Sequence, residues 1–178
     1  LVSDLPDGAR ANADEIYCFM SDCDINKLLI SCVEGLSFTH SECNIILDID
    51  GSSPVIAVDH QRIEQVIENL VTNAIKYAGT HKSITIKSKL ELNHLYVSVS
   101  DQGPGIPEQL RLKIFDKFYR IKAMQSNQPA GLGLGLHICQ QIIFKHDGTI
   151  GVESKEGFGS EFWFRLPLYK TSVNHNDY

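Results

Sequence analysis

Hydrophobic residues recur every three or four positions between Asp59 and Gly79, which is the spacing of a helix with one buried face. Asp59 suits the N-cap of such a helix, and Gly79 suits its C-terminal end. The pattern therefore predicts a long amphipathic helix between them. The repeating positions are Ile63, Val66, Ile67, Leu70, Ala74 and Tyr77.

Three other stretches show the same period. One begins after Asp24 and runs to about Phe38, and a second opens at the glycine cluster Gly131 to Leu136 and stops near Gly148. The third, from Glu108 to Phe118, is shorter. We therefore expect three main helices and one short helical segment.

Short β-branched and alternating runs between turn-forming residues predict the strands. Asn44 to Ile49 and Val55 to Val58 predict two neighbouring strands, and the apolar cluster from Ile16 to Met20 predicts an edge strand. The remaining predicted strands are a hairpin over 84–99 and a final pair at Ile150 to Ser154 and Glu161 to Leu166.

Helices set among antiparallel or mixed strand pairs indicate an α/β two-layer sandwich, with one mixed sheet and three main helices packed on one face. The length of 178 residues suits one buried core and is too short for two ordinary domains. We expect a linker at residues 1–21, one domain at 22–168 and a frayed tail at 169–178.

Charge and hydropathy argue against two classes of function. The net charge is −6 and no dense run of lysine and arginine is present, so a nucleic-acid surface is not expected. No apolar stretch approaches the roughly 20 residues that cross a bilayer, and no charged and then apolar leader is seen. We expect a soluble, cytoplasmic fragment without membrane contact, and leave open whether a longer parent protein is anchored.

The cysteines show no CxxC pair and no zinc-site spacing. Buried, reduced thiols are the favoured interpretation, and a redox or metal role is the alternative. Their odd number favours a reducing compartment. They are Cys18, Cys23, Cys32, Cys43 and Cys139.

Asn69, Asn73 and Lys76 stand at positions i, i+4 and i+7 of the longest predicted helix, so they share one side of it. An asparagine amide oxygen can ligate a hard cation such as magnesium, and a lysine can neutralise phosphate. The row suits a metal-bound polyphosphate. The alternative is an ordinary solvated helix face.

Two glycine clusters complete a candidate nucleotide site. Gly103 and Gly105 let the backbone approach a flat ligand, and Asp101 before them offers an acceptor for an exocyclic adenine amine. The cluster from Gly131 to Gly135 directly precedes a helix, whose first N–H groups can bind phosphate. Each cluster alone is also typical of a flexible turn.

In this order, the motifs resemble the catalytic ATP-binding domain of sensor histidine kinases, in the GHKL superfamily that includes gyrase, mismatch-repair and heat-shock chaperone ATPases. The resemblance covers roughly Asp24 to Pro167 and implies the Bergerat-type ATP-binding fold. The matching segments are an N box at Asn69 to Tyr77, a G1 box at Asp101 to Gly105, an F box at Ile114 to Arg120, a G2 box at Gly131 to Leu136, and a glycine motif at Gly157 to Ser160.

The resemblance also implies individual roles. Asn73 would ligate Mg²⁺ with help from Asn69, and Lys76 would contact phosphate as the third catalytic-site residue. Asp101 would recognise the adenine amine, directly and through a water shared with Ser160. The residues implied in ATP binding are Tyr77, Asp101, Gly103, Gly105, Ile106, Phe115, Phe118, Arg120, Gly131, Leu132, Gly133, Leu134, Gly135, Leu136 and Ser160.

The segment from Tyr119 to Ala130 has little apolar content, and the resemblance identifies it as a lid that closes over ATP. Phe115 and Phe118 would anchor this lid to the core. Ordinary core residues are an equally compatible interpretation of both aromatics.

The ATP-hydrolysing relatives carry a glutamate at the position of Asn69, and that glutamate can act as a base toward water. An amide cannot do so, and the adjacent Glu68 is turned about a hundred degrees round the helix. Transfer to a nucleophile supplied from elsewhere is therefore favoured over hydrolysis. Leu132 stands where many relatives have threonine, which removes one hydroxyl contact to phosphate.

Histidine kinases also carry a phosphoacceptor histidine on a dimerising two-helix hairpin, and no histidine of this chain has that sequence context. His146 is interpreted as a structural or capping residue. The hairpin is expected to lie outside this chain, with Leu1 to Ser21 as the remains of the connection to it. The isolated chain is expected to be a monomer that binds nucleotide without autophosphorylating.

The leading hypothesis is a protein histidine kinase domain of two-component signal transduction. It would hold Mg-ATP and pass the γ-phosphoryl group to the hairpin histidine, from which an aspartate of a response regulator receiver domain would take it. A nucleotide sensor or docking scaffold and an ATP-hydrolysing machine are the alternatives.

Overall fold

The computed structural model describes residues 16–51, 54–79, 82–121 and 132–168. Two short 3₁₀ turns, Glu108–Leu110 and Lys113–Phe115, precede the last helix. The strands and α-helices, in chain order, are β1 (Ser21–Asp24), α1 (Ile25–Thr39), β2 (Asn44–Ile49), β3 (Val55–Val58), α2 (His60–Ala78), β4 (Ser83–Glu91), β5 (His94–Asp101), α3 (Gly135–Lys145), β6 (Thr149–Lys155) and β7 (Gly159–Pro167).

Five strands form one mixed sheet in the order β2-β4-β5-β7-β6. β2 pairs with β4 in parallel, and the other three pairings are antiparallel. The helices pack on one side of this sheet, with α2 between α1 and α3. The predicted two-layer sandwich with three main helices is therefore confirmed.

The long helix α2 begins and ends where the sequence places its caps. The Asp59 carboxylate accepts a hydrogen bond from the backbone N–H of Arg62 at 3.1 Å. Gly79 ends the helix with a positive φ of 90°, and its N–H donates to the carbonyl oxygen of Ile75 at 3.0 Å. An N-cap of this kind stabilises a helix by about 1 kcal/mol relative to alanine.

The hydrophobic stripe of α2 lies in the core, packed against α1, α3 and strands β4 and β5. Tyr77, the last residue of the predicted stripe, is only half-buried. It lines a cavity instead, so the stripe ends where this cavity begins. The remaining positions of the stripe are buried, namely Ile63, Val66, Ile67, Leu70 and Ala74.

Two predictions about the strands are wrong, one on pairing and one on position. β2 and β3 are not neighbours, since β3 pairs with β1 in a separate antiparallel two-stranded sheet. The first strand is Ser21–Asp24 and not Ile16 to Met20, because the N–H of Phe19 donates to the Asp59 carboxylate at 2.8 Å. Adjacent runs along the chain do not fix their partners in a sheet.

The predicted helical segment from Glu108 to Phe118 is two 3₁₀ turns. Ile114 and Phe115 are buried, while Leu112 is 86% exposed. The apolar spacing predicted a helix here, and the chain instead forms short 3₁₀ turns, which are common connectors between elements.

All five cysteines are free. Cys32, Cys43 and Cys139 are buried as predicted, and Cys18 and Cys23 are half-buried. Burial raises the pKa of the Cys32 and Cys139 thiols to about 12, which keeps them protonated at neutral pH. In the described ranges no helix has both the length and the apolar character needed to cross a membrane.

Candidate functional site

A cavity of about 320 Å³ lies between α2, the end of β5, residues 119–121 and the start of α3. Pockets of this size hold small ligands. The structure thus brings most of the predicted site residues together. Those that line the cavity are Asn69, Asn73, Lys76, Tyr77, Asp101, Gly105, Ile106, Arg120, Leu132, Gly133, Leu134, Gly135, Leu136 and Ser160.

The other predicted site residues do not line it. Gly103 stands behind Asp101, and its N–H donates to the Asp101 Oδ1 at 2.7 Å. Phe115 is buried, with its ring edge-on to Phe162 at 6.5 Å between centroids. Gly131 and most of the predicted lid lie outside the described residues.

Phe118 does not anchor a lid in the core, which corrects both interpretations of this residue. Its side chain is 63% exposed. Its backbone φ of 64° lies in the left-handed region. Its N–H donates to the carbonyl oxygen of Gly133 at 3.0 Å, so the backbone of this residue, and not its ring, joins the segment to the glycine cluster.

The polar face of α2 forms one wall. Asn69, Asn73 and Lys76 are half-buried and line the cavity together, so they are not an ordinary solvated helix face. The Asn69 side chain lowers the pKa of the buried Cys139 thiol on α3 against the larger opposing effect of burial. Glu68 is exposed and does not line the cavity. The α2 wall therefore presents two carboxamides and one ammonium.

Asp101 supplies an acceptor at the end of β5. Burial raises the pKa of its carboxyl, while hydrogen bonds from the Gly103 and Ser160 backbone N–H groups oppose that rise. Gly105 adopts a φ of 74°, and a Cβ there would overlap the Lys155 carbonyl group. Gly105 is therefore needed for the close packing of this loop against the β6–β7 turn.

The start of α3 forms the adjoining wall. Leu134 is its N-cap and no side chain caps the helix, so its first N–H groups remain available to a ligand. Gly135 lies beside Asn69, since a Cβ there would come within 3.2 Å of the Asn69 Oδ1. An uncapped helix N-terminus next to two carboxamides and an ammonium is suited to an anion.

Five further residues line the cavity but were not predicted from the sequence. Phe162 and Ile114 belong to an apolar wall, and a signal for Phe162 is its inward place in the alternating pattern of β7. The others lie within the predicted G1 box, F box or lid but were not named individually as site residues. The set is Pro104, Ile114, Tyr119, Ile121 and Phe162.

The cavity is polar at two places and apolar between them. Among the described residues that line it, Asp101 carries the one carboxylate, while the α2 and α3 walls offer an ammonium and unpaired N–H groups. A flat ligand with a hydrogen-bond donor at one end and an anionic group at the other matches this arrangement.

Comparisons with known proteins agree with this geometry. A family described as "Histidine kinase-, DNA gyrase B-, and HSP90-like ATPase" matches residues 58–170. The chain is 40% identical over 134 residues to the adaptive-response sensory kinase SasA of Synechocystis sp. (strain ATCC 27184 / PCC 6803 / Kazusa), which covers 75% of this chain and 34% of SasA. It thus spans about a third of the length of that curated relative.

Solved structures show the same fold. The catalytic domain of histidine kinase ThkA, in a nucleotide-free form, superposes with a TM-score of 0.73 at 33% identity, over 84% of this chain and 97% of that domain. ThkA in complex with the response regulator protein TrrA gives a TM-score of 0.74 at 29% identity, over 88% of this chain and 44% of that chain.

Proposed function

Because this chain belongs to the histidine kinase-, DNA gyrase B- and HSP90-like ATPase family, as a catalytic ATP-binding domain of the sensor histidine kinase type, we propose that it binds Mg-ATP and transfers the γ-phosphoryl group to a histidine outside the chain. That histidine lies on a dimerisation hairpin, and an aspartate of a response regulator receives the phosphoryl group from it. The complex of ThkA with a response regulator supports this relay.

The polarity of the cavity is the observation that carries the proposal. The Asp101 carboxylate accepts a hydrogen bond from the adenine amine, and the uncapped start of α3 binds the phosphates. Lys76 adds a positive charge on the α2 wall. Adenine and triphosphate carry the matching groups at opposite ends of one molecule.

Magnesium fits the donor set of the α2 wall. Asn69 and Asn73 present carboxamide oxygens to the same cavity, and Mg²⁺ prefers oxygen ligands while keeping several waters. The described residues hold no cluster of three or more His, Cys, Asp or Glu side chains, the kind of group that binds other metals. Asn73, assisted by Asn69, would hold the ion, which neutralises charge on the phosphates when bound.

The side chains around the phosphate end favour transfer over hydrolysis. Asn69 stands where the ATP-hydrolysing relatives carry a glutamate, and an amide cannot take a proton from water. Glu68 points to solvent. The chain therefore contributes positioning and charge neutralisation, and the attacking nucleophile comes from the partner histidine.

The experiment is a calorimetric titration of the chain with ATP, with and without Mg²⁺, while free phosphate is assayed in the same sample. We expect binding that Mg²⁺ strengthens and negligible phosphate release. A hairpin carrying a phosphoacceptor histidine, taken from a matched sensor kinase, is then added with γ-labelled ATP, and an acid-labile label is expected on the hairpin.

A hairpin with glutamine in place of the histidine is the matched control and should remain unlabelled. Absence of ATP binding would leave a scaffold, and sustained phosphate release would move the chain to the ATP-hydrolysing class. Binding without label transfer would favour a nucleotide sensor. Each of these three results contradicts the proposal at a different step.

A further inference from the structure

We propose that Ser154, a residue outside the cavity, fixes the direction of the Ser160 hydroxyl and thereby makes the chain selective for a base with a hydrogen-bond donor at its six position. The inference rests on the proposed function, in which Asp101 and Ser160 lie beside the adenine. It adds a positioning residue on β6 that does not touch the ligand.

Three strands bring these side chains into one row. Ser160 on β7 pairs with Asp101 on β5 and with Ser154 on β6. Ser160 lines the cavity and is 8% exposed, and Ser154 stands behind it. The two serine hydroxyl oxygens are 2.9 Å apart.

The other contacts of Ser154 decide which of the two hydroxyls is the donor. The backbone N–H of Ile106 donates to the Ser154 Oγ at 2.8 Å, and an N–H group can only donate. The Ser154 Oγ is also 2.8 Å from the carbonyl oxygen of Gly159, which can only accept.

A serine hydroxyl has one proton and two lone pairs. The Ser154 proton is therefore committed to the Gly159 carbonyl, and one lone pair is committed to the Ile106 N–H. The second lone pair receives the Ser160 hydroxyl proton, since the reverse direction would leave two acceptor oxygens facing each other at 2.8 Å. Only one assignment satisfies all three contacts.

Ser160 consequently faces the cavity with lone pairs and no proton. Beside it, the Asp101 carboxylate is also an acceptor, and its Oδ1 is held by the Gly103 N–H at 2.7 Å. Two acceptors side by side favour the amino group of adenine, or a water that donates to both. They oppose the carbonyl oxygen at the same position of hypoxanthine or guanine.

The test compares the affinities of ATP and inosine triphosphate. At the six position of the base, ATP carries an amino group and inosine triphosphate carries a carbonyl oxygen. We expect Ser154→Ala to lower the ratio of the two affinities by about three- to tenfold, the effect of one hydrogen bond whose direction is no longer fixed. Ser154→Thr keeps a hydroxyl and should restore the ratio. Ser98→Ala removes another buried serine hydroxyl, away from the cavity, and should leave the ratio unchanged.

A double-mutant cycle separates positioning from a loss of packing. If Ser154 acts through Ser160, Ser154→Ala should have no further effect on the ratio in a Ser160→Ala background. Additive effects in the cycle would overturn the inference, as would an unchanged ratio in Ser154→Ala or failure of Ser154→Thr to restore it.

Failure of the proposed function gives a different result. A wild-type chain that binds neither nucleotide, or both equally, refutes the adenine site itself before any variant is measured. If Ser154→Ala does not fold, Ser160→Ala alone decides, because an unchanged ratio in that variant refutes the inference. If the wild type prefers ATP and Ser160→Ala does not change the affinity ratio, the further inference fails and the proposed function stands.

Discussion

The Asp101 carboxyl is half-buried and lines the cavity. Burial raises the pKa of its carboxyl, so the charged form that accepts a hydrogen bond is disfavoured in the folded chain. The Gly103 and Ser160 N–H groups partly compensate for this burial. The position of this residue before two glycines was sufficient to predict it as an acceptor from the sequence.

The raised pKa of Asp101 predicts a pH dependence of base recognition. As pH falls through that pKa, the carboxyl gains a proton and opposes the adenine amine, so the preference for ATP over inosine triphosphate should decrease. The decrease begins at a higher pH than for an ordinary aspartate, whose pKa is about 3.9. Binding of both nucleotides is measured from about pH 8 down to the range in which an ordinary aspartate titrates, and their ratio cancels the titration of the phosphates.

Asp101→Asn is the control for this measurement. An amide has no titration in this range, so its affinity ratio should be low and independent of pH. A wild-type ratio that begins to decrease only where an ordinary aspartate titrates, or a variant that follows the wild-type curve, contradicts the assignment of Asp101 to the base.

Asn73 is the second residue whose role can be tested alone. Asn73→Ala removes one carboxamide oxygen from the α2 wall, and we expect the Mg²⁺-dependent gain in ATP affinity to fall by about tenfold or more. Thr72→Ala is the matched control, since Thr72 is exposed on the same helix and its hydroxyl donates to the Glu68 carbonyl at 2.7 Å. Titration calorimetry with and without Mg²⁺ measures both. Equal Mg²⁺ dependence in the wild type and Asn73→Ala would show that Asn73 is not a ligand.

At the scale of elements, the start of α3 depends on how closely the preceding loop packs. Gly133 has a φ of 70°, and its carbonyl oxygen accepts the N–H of Phe118 at 3.0 Å. A Cβ at Gly133 would lie 2.9 Å from the carbonyl carbon of Phe118 and from the carbonyl oxygen of Tyr119. This contact therefore joins the start of α3 to the segment that carries Arg120 and Ile121 into the cavity.

Gly133→Ala tests the contact, and Gly157→Ala is its matched control. Gly157 has a φ of 80°, but no atom lies within 4 Å of the position of its Cβ. Both variants carry the backbone strain of about 1 kcal/mol, and only Gly133→Ala displaces the segment. We expect ATP affinity to fall more than tenfold in Gly133→Ala and to change little in Gly157→Ala, measured by calorimetry at equal folded fraction. Equal losses in the two variants would mean that strain alone is responsible.

At the scale of the whole molecule, a buried histidine joins the two helices that form the cavity. The Nδ1 of His146, at the C-cap of α3, donates to the Ile142 carbonyl oxygen at 2.8 Å. Its Nε2 accepts the N–H of Asp59, the N-cap of α2, at 2.9 Å. Both ring nitrogens are thus occupied in the neutral form, and the predicted structural role of His146 is confirmed.

This geometry predicts how the stability of the chain depends on pH. Burial lowers the pKa of His146 despite the opposing charges of Asp59 and Asp147, so the folded state excludes a proton that the unfolded state accepts. Stability from this residue is complete above the unfolded pKa of about 6.5 and decreases as pH falls from there toward the lowered folded value. The free energy of unfolding in urea should therefore be smaller at about pH 5.5 than at about pH 7.5.

His146→Gln should flatten this dependence, because an amide does not titrate. The carboxyl of Asp59 does not interfere. Burial opposes its ionisation, but the N–H groups of Phe19 and Arg62 and the positive charges of His146 and Arg62 together lower its pKa, so it titrates in a more acidic range. An identical pH dependence of unfolding in wild type and His146→Gln would remove His146 as its origin.

The sequence by itself determined the helices, their caps and most of the residues that line the cavity. Helical periodicity predicted α1, α2 and α3, because each helix buries a stripe that recurs every three or four residues. Caps such as Asp59 and Gly79 were also predictable, since they act on the backbone of their own helix. Motif order predicted most of the cavity lining for the same reason, as each motif is a short segment of consecutive residues.

Tertiary structure alone decided what depends on contacts between distant segments. The pairing of β2 with β4 and of β3 with β1, and the exposure of Phe118, could not be predicted, because partners far apart in the chain set them. The same holds for the Asp101, Ser160 and Ser154 row. The sequence supplies the three side chains, but only the register of β5, β7 and β6 places them in one hydrogen-bond network.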